Sequence, residues 1–317
     1  MIKLKLYISD SYDVFDNQAI EAFLLEQAGK DEMILYLWQN KKTIVIGRNQ
    51  DAYSECDIEK LESDDGHLAR RITGGGAVYH DTGNLNFTFV CARELFDIEK
   101  QDEVILDALR NLGFAAEKNG RNDLCIQGRK FSGHAYYKGK ENCLHHGTLM
   151  LEVDGDKLQE YLHVSKVKLH SKNVASVKSR VINLKEIDPS LNIEKMKEAL
   201  VSSFEEVYRG KCESCVIDLT RVAELRKQFS DAAWRYGKMN RLPLVKEKRF
   251  DFGTVRICYE LNEDTIEDLV IYTDALDTGI FDGVEKKLIG KKISAENDLK
   301  DMAGLLFGLL KEVDHAI

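Results

Sequence analysis

Apolar residues in the first half of the chain recur with strand and helix spacings. Alternation and short β-branched runs predict four strands, at 3–8, 34–38, 43–47 and 86–90. The middle two strands are separated by only four polar residues, which favours a hairpin. Helical spacing predicts an amphipathic helix over 14–28 and a second helix over 104–112 that ends at Gly113.

The second half continues with strands near 121–126, 131–137 and 144–151 and a helix over 192–209. A smaller unit follows, with strands at 253–261 and 266–275 and helices at 281–289 and 298–312. Strands and helices do not alternate regularly, so the fold class expected is mixed α+β and not a doubly wound parallel sheet. Pro243 lies in MNRLPLVKEKR, a candidate linker, and we expect domains at 1–245 and 246–317.

Composition and charge exclude several classes of protein. The chain has 317 residues, of which 44% are hydrophobic and 31% charged, as in a globular protein. A net charge of −9 argues against general nucleic-acid binding, whose affinity depends on neutralising phosphates. No apolar run is long enough to span a bilayer, and no apolar signal segment is recognisable near the first residue. We therefore expect a cytoplasmic protein with no membrane partner.

Seven cysteines in a chain without an export signal predict free thiols in a reducing compartment. Cys212 and Cys215 form a CxxC pair with no second ligand pair at zinc-site spacing, so incidental spacing is favoured over metal binding.

The first chemical motif is RRITGGGAVYHDTGN, residues 70–84. Three consecutive glycines, Gly74 to Gly76, leave their backbone N–H groups unshielded, and such a loop can surround an anionic group. Arg70 and Arg71 can add bidentate contacts to a phosphate or carboxylate. Taken alone, the motif fits a tight turn between two strands equally well.

The second motif is GRNDLCIQGRKFSGHAYY, residues 120–137. Lys130 follows a Gly-Arg turn and precedes an alternating strand, a position from which its amine can enter a cleft and attract an anion. Asn122 and Asp123 offer the hard oxygen ligands that Mg²⁺ prefers. A hairpin tip with solvated charges is the alternative.

The third motif is CLHHGTLMLEVD, residues 143–154. Adjacent residues of a strand point to opposite faces, so at most one of His145 and His146 is expected to face a given cleft. That geometry argues against a metal site made by this pair. It favours a single polar group that orients a substrate, or a surface histidine beside a buried one.

Together, in this order and spacing, the three motifs resemble the lipoate–protein ligase family. IGRNQD (46–51) and SVKSRVINL (176–184) also fit, and the resemblance extends over essentially the whole chain. It implies a mixed-sheet catalytic domain of the biotin/lipoate ligase type with a small C-terminal α+β accessory domain. The segment from Trp234, WRYGKMNRLPLVKEKRF, departs from the WxYGKSPxF pattern of relatives, because the proline is displaced.

The resemblance also implies roles for individual residues. Lys130 matches the catalytic lysine that contacts the carboxylate of the acid and the α-phosphate, and Asp123 matches the position that holds the adenylate and its Mg²⁺. The residues implied in nucleotide and adenylate binding are Arg71, Gly75, Gly76, Ala77, Val78, Tyr79, Asn122, Asp123 and Lys130. Those implied in lipoate binding are Trp38, Arg70, Thr73, His80, Lys130, Gly133 and His146.

The implied reaction has two steps and uses ATP and Mg²⁺ with lipoate as substrate. Lipoate and ATP give lipoyl-AMP and pyrophosphate, and a carrier lysine then takes the lipoyl group. The implied partners are lipoyl-accepting carrier domains, in acyltransferase subunits of 2-oxo acid dehydrogenases and in the glycine-cleavage H protein. A monomer is expected.

Three alternatives remain open from the sequence. An ATP-independent octanoyl or lipoyl transferase would use a cysteine thiolate, for which Cys125 and Cys143 are the candidates. Biotin ligation is disfavoured because its doubled GRGR-type loop is replaced by single GR pairs at 47–48 and 120–121. The third alternative is a non-catalytic module that binds the adenylate or lipoyl group as a sensor.

Overall fold

The computed structural model describes residues 2–120, 122–163, 181–237 and 242–312. Residues 176–180 of the SVKSRVINL motif and 239–241 of the predicted linker lie outside these ranges. The largest sheet has eight strands in the order β11-β1-β2-β6-β10-β9-β8-β7. Its strands are β1 (Lys3–Ile8), β2 (Glu32–Trp38), β6 (Asn84–Ala92), β7 (Glu117–Asn119), β8 (Asp123–Ile126), β9 (Arg129–Lys138), β10 (Asn142–Met150) and β11 (Cys212–Ser214).

This main sheet is mixed, as the predicted fold class requires. β1 runs parallel to β2 and β11, whereas β6, β10, β9 and β8 pair antiparallel with their neighbours. Helices cover both faces, so all nine residues of the central strand β6 are buried. One face packs against α4 (Ile98–Asn111) and α6 (Ile193–Tyr208), and the other against α1 (Val14–Gln27) and α7 (Leu219–Ser230).

Helix α1 differs from the amphipathic helix that its spacing predicted. It lies between the main sheet and α7, so that residues on several sides are buried. Three of these are polar: Asn17, Gln18 and Glu21. Buried polar side chains need hydrogen-bond partners, so these three residues indicate that the helix covers other polar groups.

A second sheet of three strands lies beside the first. It consists of β3 (Thr43–Ile46), β4 (His67–Arg70) and β5 (Val78–His80), in the order β4-β3-β5. Three short helices accompany it: α2 (Ala52–Glu55), α3 (Ile58–Ser63) and α5 (Gly155–Tyr161). Tyr161 and Leu61, from two of these helices, join the same buried cluster as Ile44 of β3.

The predicted hairpin of 34–38 and 43–47 is wrong. Both strands exist, but β2 pairs with β1 and β6, whereas β3 pairs with β4 and β5. The segment that joins them begins with two buried residues, Gln39 and Asn40, and Asn40 bonds to the side chains of Asn17 and His80. Apolar runs indicate strands but do not identify their partners, and here the partners come from elsewhere in the chain.

The third sheet is antiparallel and lies near the C-terminal end. It contains β12 (Leu244–Phe250), β13 (Gly253–Asn262) and β14 (Thr265–Thr273) and packs against α9 (Val284–Leu288) and α10 (Asp301–Lys311). The two strands and two helices predicted here are confirmed, although the helices are shorter. β12 was not predicted, because its sequence was interpreted as a linker. The domain division after residue 245 stays a prediction.

Most of the other predicted elements are confirmed. The helix expected over 192–209 is α6, and the one over 104–112 is the second half of α4, followed by Gly113 at φ +85°. Helix α7 and the short helices α2, α3, α5 and α8 (Ala232–Tyr236) were not predicted. All seven cysteines are free thiols, as predicted. Within the described ranges, no helix is long and apolar enough to cross a membrane.

The C-terminal unit rests directly on the triglycine loop. Gly75 N–H donates to the carbonyl of Ala275 over 3.1 Å, and a Cβ atom on Gly74 would lie 2.2 Å from the same oxygen. Asn49 adds two further contacts, accepting from Thr273 N–H at 2.9 Å and donating to Thr278 O at 2.8 Å. Backbone atoms of both units therefore form much of this contact.

The tight packing behind the loop gives a stability prediction. A Cβ atom on Gly47 would lie 2.2 Å from Gly75 O, whereas one on Gly76 would meet nothing within 4 Å. We expect Gly47→Ala to lower the free energy of unfolding by about 1–3 kcal/mol through overpacking, and Gly76→Ala to change it by less than about 0.5 kcal/mol. Urea denaturation of both variants measures this difference, and equal effects would contradict the packing described.

Candidate active site

A cavity lies over the face of the main sheet that α1 covers, below the triglycine loop. Trp38, Asn86 and Thr148 are register neighbours on β2, β6 and β10, and Gly133 N–H of β9 donates to Thr148 Oγ1. Since neighbouring strands lie about 4.8 Å apart, this row of four strands is about 14 Å across. The space above it is about 690 Å³, a volume that includes its open mouth.

The loop above the cavity is held by the buried guanidinium of Arg71. It donates to the carbonyls of Gly74 at 2.6 Å, Gly76 at 2.8 Å and Val45 at 3.1 Å, and to Thr73 Oγ1 at 3.0 Å. Burial lowers the pKa of Arg71 to about 10, which leaves the group charged at neutral pH. Arg71 thus fixes the shape of the loop, and it also lines the cavity.

Lys130 reaches the same cavity from the opposite side. Its Nζ lies 2.7 Å from Asp123 Oδ1, and both side chains are about a third exposed. Its carbonyl accepts from Ile182 N–H at 2.9 Å, which anchors the start of β9. A Cβ atom on Gly133 would lie only 2.6 Å from the amine, so glycine at this position leaves room for it. Lys130, Gly75 and Gly76 therefore line one cavity although they are distant in sequence.

A chain of hydrogen bonds runs from Trp38, in the wall of the cavity, to Thr73, directly before the triglycine loop. Trp38 Nε1 donates to Thr88 Oγ1 at 3.0 Å, and this hydroxyl donates to Glu21 Oε1 at 2.7 Å. The same carboxylate oxygen lies 2.8 Å from His146 Nδ1, while His146 Nε2 lies 2.8 Å from Thr73 Oγ1. These contacts fix the orientation of both cavity rings, the indole and the imidazole.

Three buried polar atoms without a hydrogen-bond partner among the described residues belong to cavity residues. They are Gln18 Oε1, His80 Nε2 and Asn86 Nδ2. The amide of Asn40 lies 3.1 Å from His80 Nδ1 and donates to it, which places the ring proton on Nε2. Burial lowers the pKa of His80 to about 3, so the ring is neutral. Unpaired buried groups cost about 1–3 kcal/mol each, and a bound ligand or water would satisfy them.

The structure brings most of the predicted site residues together. Eleven of them line the cavity: Trp38, Arg71, Gly75, Gly76, Ala77, Val78, His80, Asn122, Lys130, Gly133 and His146. As predicted for the histidine pair, only His146 of the two lines it, whereas His145 packs against Tyr136 on the other face.

Four predicted residues lie outside this lining. Arg70 donates instead to the carbonyls of Gly47, Arg48, Gln50 and Trp234. Tyr79 packs against Tyr161, Thr73 sits behind His146, and Asp123 contacts the amine of Lys130. Arg70 and Tyr79 are thus parts of the frame around the loop.

Sequence reasoning missed five polar lining residues: Gln18, Glu21, Asn86, His134 and Thr148. A signal existed for three of them. Gln18 and Glu21 are three residues apart within an otherwise apolar stretch of α1, and Asn86 interrupts an apolar strand. Polar residues within an otherwise apolar stretch indicate a cavity, so the sequence itself contained a signal for these three positions.

The cysteines do not take part in the cavity. Among the described residues none of its lining is a cysteine, and both Cys125 and Cys143 are buried elsewhere. Burial raises the pKa of the Cys143 thiol, which disfavours the thiolate that nucleophilic catalysis needs.

Comparison with known families agrees with this geometry. Residues 13–205 match the lipoyl protein ligase A/B catalytic domain, and residues 242–302 match the bacterial lipoate protein ligase C-terminus. The chain belongs to the lipoate–protein ligase family. The resemblance that the three motifs carry is therefore confirmed, together with the expected fold and the expectation of an enzyme.

Individual lipoate–protein ligases cover most of the chain. Lipoate-protein ligase A of Bdellovibrio bacteriovorus is 38% identical over 301 residues, 92% of this chain and 89% of that protein. Plasmodium falciparum LipL1, solved in complex with lipoate, superposes with a TM-score of 0.81 at 27% identity over 97% and 98% of the two chains.

Two further solved ligases match about three quarters of the chain. A lipoate-protein ligase A bound with ATP has a TM-score of 0.64 at 25% identity, covering 75% of this chain and 99% of its own. A bipartite ligase of Thermoplasma acidophilum, described with its E2 lipoyl domain, has a TM-score of 0.65 at 27% identity, covering 76% and 98%.

The neutral His80 ring predicts a pH-dependent stability. The pKa of His80 falls from 6.5 to about 3 on folding, so the unfolded chain binds the extra proton as the pH falls below 6.5. Between pH 7 and pH 5 this group alone should remove about 2 kcal/mol of the free energy of unfolding. We expect His80→Gln to reduce the pH dependence by that amount, measured by urea denaturation at both pH values. The exposed His67→Gln is the control, and an unchanged pH dependence in His80→Gln would contradict the assignment.

Proposed function

We propose that the protein activates lipoate with ATP and then transfers the lipoyl group to a lysine of a carrier domain. The observation that carries the proposal is one cavity lined by the Lys130 amine, by Gly75 and Gly76 of the loop, and by an apolar wall. Family membership and the ATP-bound and lipoate-bound relatives support it.

In the first step a carboxylate oxygen of lipoate attacks the α-phosphorus of ATP. The new P–O bond gives lipoyl-AMP, and the bond to the β-phosphate breaks to release pyrophosphate. Negative charge moves between the attacking and leaving oxygens near the Lys130 amine. At about 4 Å and an effective dielectric of about 20, that amine attracts a unit negative charge by roughly 4 kcal/mol. Asp123 holds the amine in position at 2.7 Å.

In the second step the ε-amine of the carrier lysine attacks the carbonyl carbon of the mixed anhydride. An amide bond forms, the bond to the AMP oxygen breaks, and the amine proton passes to solvent. No protein nucleophile is required, because the anhydride is already activated. The bound acyl chain and adenylate fill the cavity, and this keeps out water that would otherwise hydrolyse the intermediate.

The acyl chain of lipoate is proposed to lie along the apolar wall of the cavity. Trp38, Val45, Ala77 and Val78 give it an apolar wall. Burial of about six methylene equivalents at about 0.8 kcal/mol each contributes roughly 5 kcal/mol to binding. LipL1, solved in complex with lipoate, supports lipoate as the acid that this cavity binds.

Mg²⁺ is proposed to enter with the nucleotide. Asp123 offers a carboxylate of the kind that Mg²⁺ prefers, but one of its oxygens already contacts Lys130. Among the described residues Asp123 belongs to no group of three candidate metal ligands, so phosphate oxygens and water would supply the remaining ligands. When bound, the ion neutralises phosphate charge.

The partners proposed are lipoyl-accepting carrier domains. The T. acidophilum ligase described with its E2 lipoyl domain supports the acyltransferase subunits of 2-oxo acid dehydrogenases as one class. The glycine-cleavage H protein is proposed as a second class, and a cytoplasmic monomer as the working form of the enzyme.

The decisive experiment supplies ATP, Mg²⁺, lipoate and a purified carrier. We expect pyrophosphate release and a lipoyl mass increment on the carrier. Lys130→Met should reduce kcat/KM for adenylation by about 10²–10³, because it removes the cation at the reacting phosphate. Gly133→Ala should reduce the same rate at least about tenfold, because its Cβ displaces the amine.

Lys138→Met is the matched control, since it removes an exposed lysine from the end of the same strand. Its rate should equal that of the wild type. If ATP and lipoate bind tightly but the wild type releases no pyrophosphate, the protein is a sensor and the proposal fails.

The transferase alternative is tested with cysteine variants. Cys125 and Cys143 lie outside the cavity lining, so Cys125→Ala and Cys143→Ala should keep ATP-dependent lipoylation within about twofold of the wild type. Carrier mass spectrometry with and without ATP measures this. A folded cysteine variant that loses activity, or lipoyl transfer that persists without ATP, would revive the transferase.

A further inference from the structure

A second polar cluster lies on the opposite face of the main sheet from the cavity. Asp102 of α4, His134 of β9 and His145 of β10 are all buried there. His134 Nδ1 lies 2.9 Å from His145 Nε2 and 3.1 Å from Asp102 Oδ1, and the third side of this triangle is 3.8 Å. The proposed ligation chemistry uses none of these side chains.

The outer nitrogens of both rings contact side-chain oxygens, a serine hydroxyl and a glutamine amide oxygen, and both oxygens can accept a hydrogen bond. His134 Nε2 lies 2.9 Å from Ser132 Oγ, and His145 Nδ1 lies 3.0 Å from Gln101 Oε1. With a proton on each outer nitrogen, both inner nitrogens present lone pairs to one another. In this tautomer a metal ion between the rings would accept both lone pairs, and an outer N–H bonded to oxygen is the usual arrangement of metal-binding histidines.

The carboxylate adds a third lone pair directed to the same point. Asp102 is 3% exposed, and its Oδ1, 3.1 Å from His134 Nδ1, has no hydrogen-bond donor among the described residues when that nitrogen carries a lone pair. Its Oδ2 is held by Lys118 Nζ at 2.6 Å, which leaves Oδ1 as the free ligand atom. An unpaired carboxylate oxygen inside a protein is costly, so a cation at this point would stabilise it.

We infer that Asp102, His134 and His145 bind a divalent transition-metal ion of the zinc class. Bonds of about 2.0 Å in a tetrahedral zinc site place ligand atoms about 3.3 Å apart, within the span of the three distances found here. Two imidazoles with one carboxylate select zinc, cobalt or iron over Mg²⁺, which prefers oxygen ligands.

The site would join three elements behind the catalytic cavity. β9 carries Lys130 and β10 carries His146, while α4 covers the back of both strands. A metal ion that binds only the folded chain raises the free energy of unfolding, and this increase grows with the logarithm of the ratio of metal concentration to Kd. Lys118 is about a third exposed in a surface groove, and movement of this side chain would open a route to Asp102.

Metal titration of the full-length protein tests the inference. The protein is first stripped with a chelator and then titrated with Co²⁺ and, in competition with a chromogenic chelator, with Zn²⁺. We expect one equivalent to bind, visible d–d absorption of four-coordinate Co²⁺, no thiolate-to-cobalt charge-transfer band, and a rise in Tm with Zn²⁺. Asp102→Asn, which keeps the shape of the side chain, should weaken binding at least about tenfold.

The controls separate this site from other candidate ligands. His67→Gln removes an exposed histidine, and Cys212→Ala with Cys215→Ala removes the CxxC pair; both should leave binding unchanged. The inference is overturned if the stripped wild type binds neither ion, or if a charge-transfer band shows cysteine ligation. It is also overturned if folded Asp102→Asn and His134→Gln bind as tightly as the wild type. The wild-type spectra decide the question even if a variant does not fold.

Discussion

The burial of one cation, the guanidinium of Arg71, constrains the whole site. A buried charge is costly unless its donors are satisfied, and here three main-chain carbonyls and one hydroxyl satisfy them. The Arg71 side chain thereby ties β3 to the triglycine loop. Through Thr73 it also reaches His146 and the main sheet. The loop, both neighbouring sheets and the cavity wall therefore share a single network of hydrogen bonds.

The two faces of the main sheet carry different sets of functional side chains. Gly133 and Ala135 of β9 leave space on the cavity face. His134, between them in sequence, also borders the cavity, but its side chain joins the buried cluster on the other face. On β10 the adjacent His145 and His146 are divided in the same way. Because side chains alternate along a strand, a shift of one residue in the register of β9 or β10 would move its side chains to the opposite face. The pairing of β9 with β10 therefore fixes both sites at once.

Much of this architecture follows from the sequence, and the remainder depends on contacts distant along the chain. Periodicity identified β1, β6, β9, β10, α4 and α6, because each carries a regular apolar pattern. The partner of β3 could not be found locally, since its neighbours come from 67–70 and 78–80. The three motifs gave the cavity residues around Lys130 and the loop. They did not show that Arg70 binds backbone carbonyls, because the direction in which a side chain points at the end of a buried strand depends on the surrounding fold.

The contact between Gly74 and the segment 275–276 has an evolutionary consequence. The space that a Cβ of Gly74 would need is taken by the carbonyl oxygens of Ala275 and Leu276, which every amino acid possesses. Substitution at 276 can therefore change the side chain while this contact persists, whereas Ala275 is only 1% exposed and leaves little room for a larger side chain. Gly74 has no such latitude, since any other residue would push the C-terminal unit away. Changes at this join are therefore expected to be tolerated mainly at position 276.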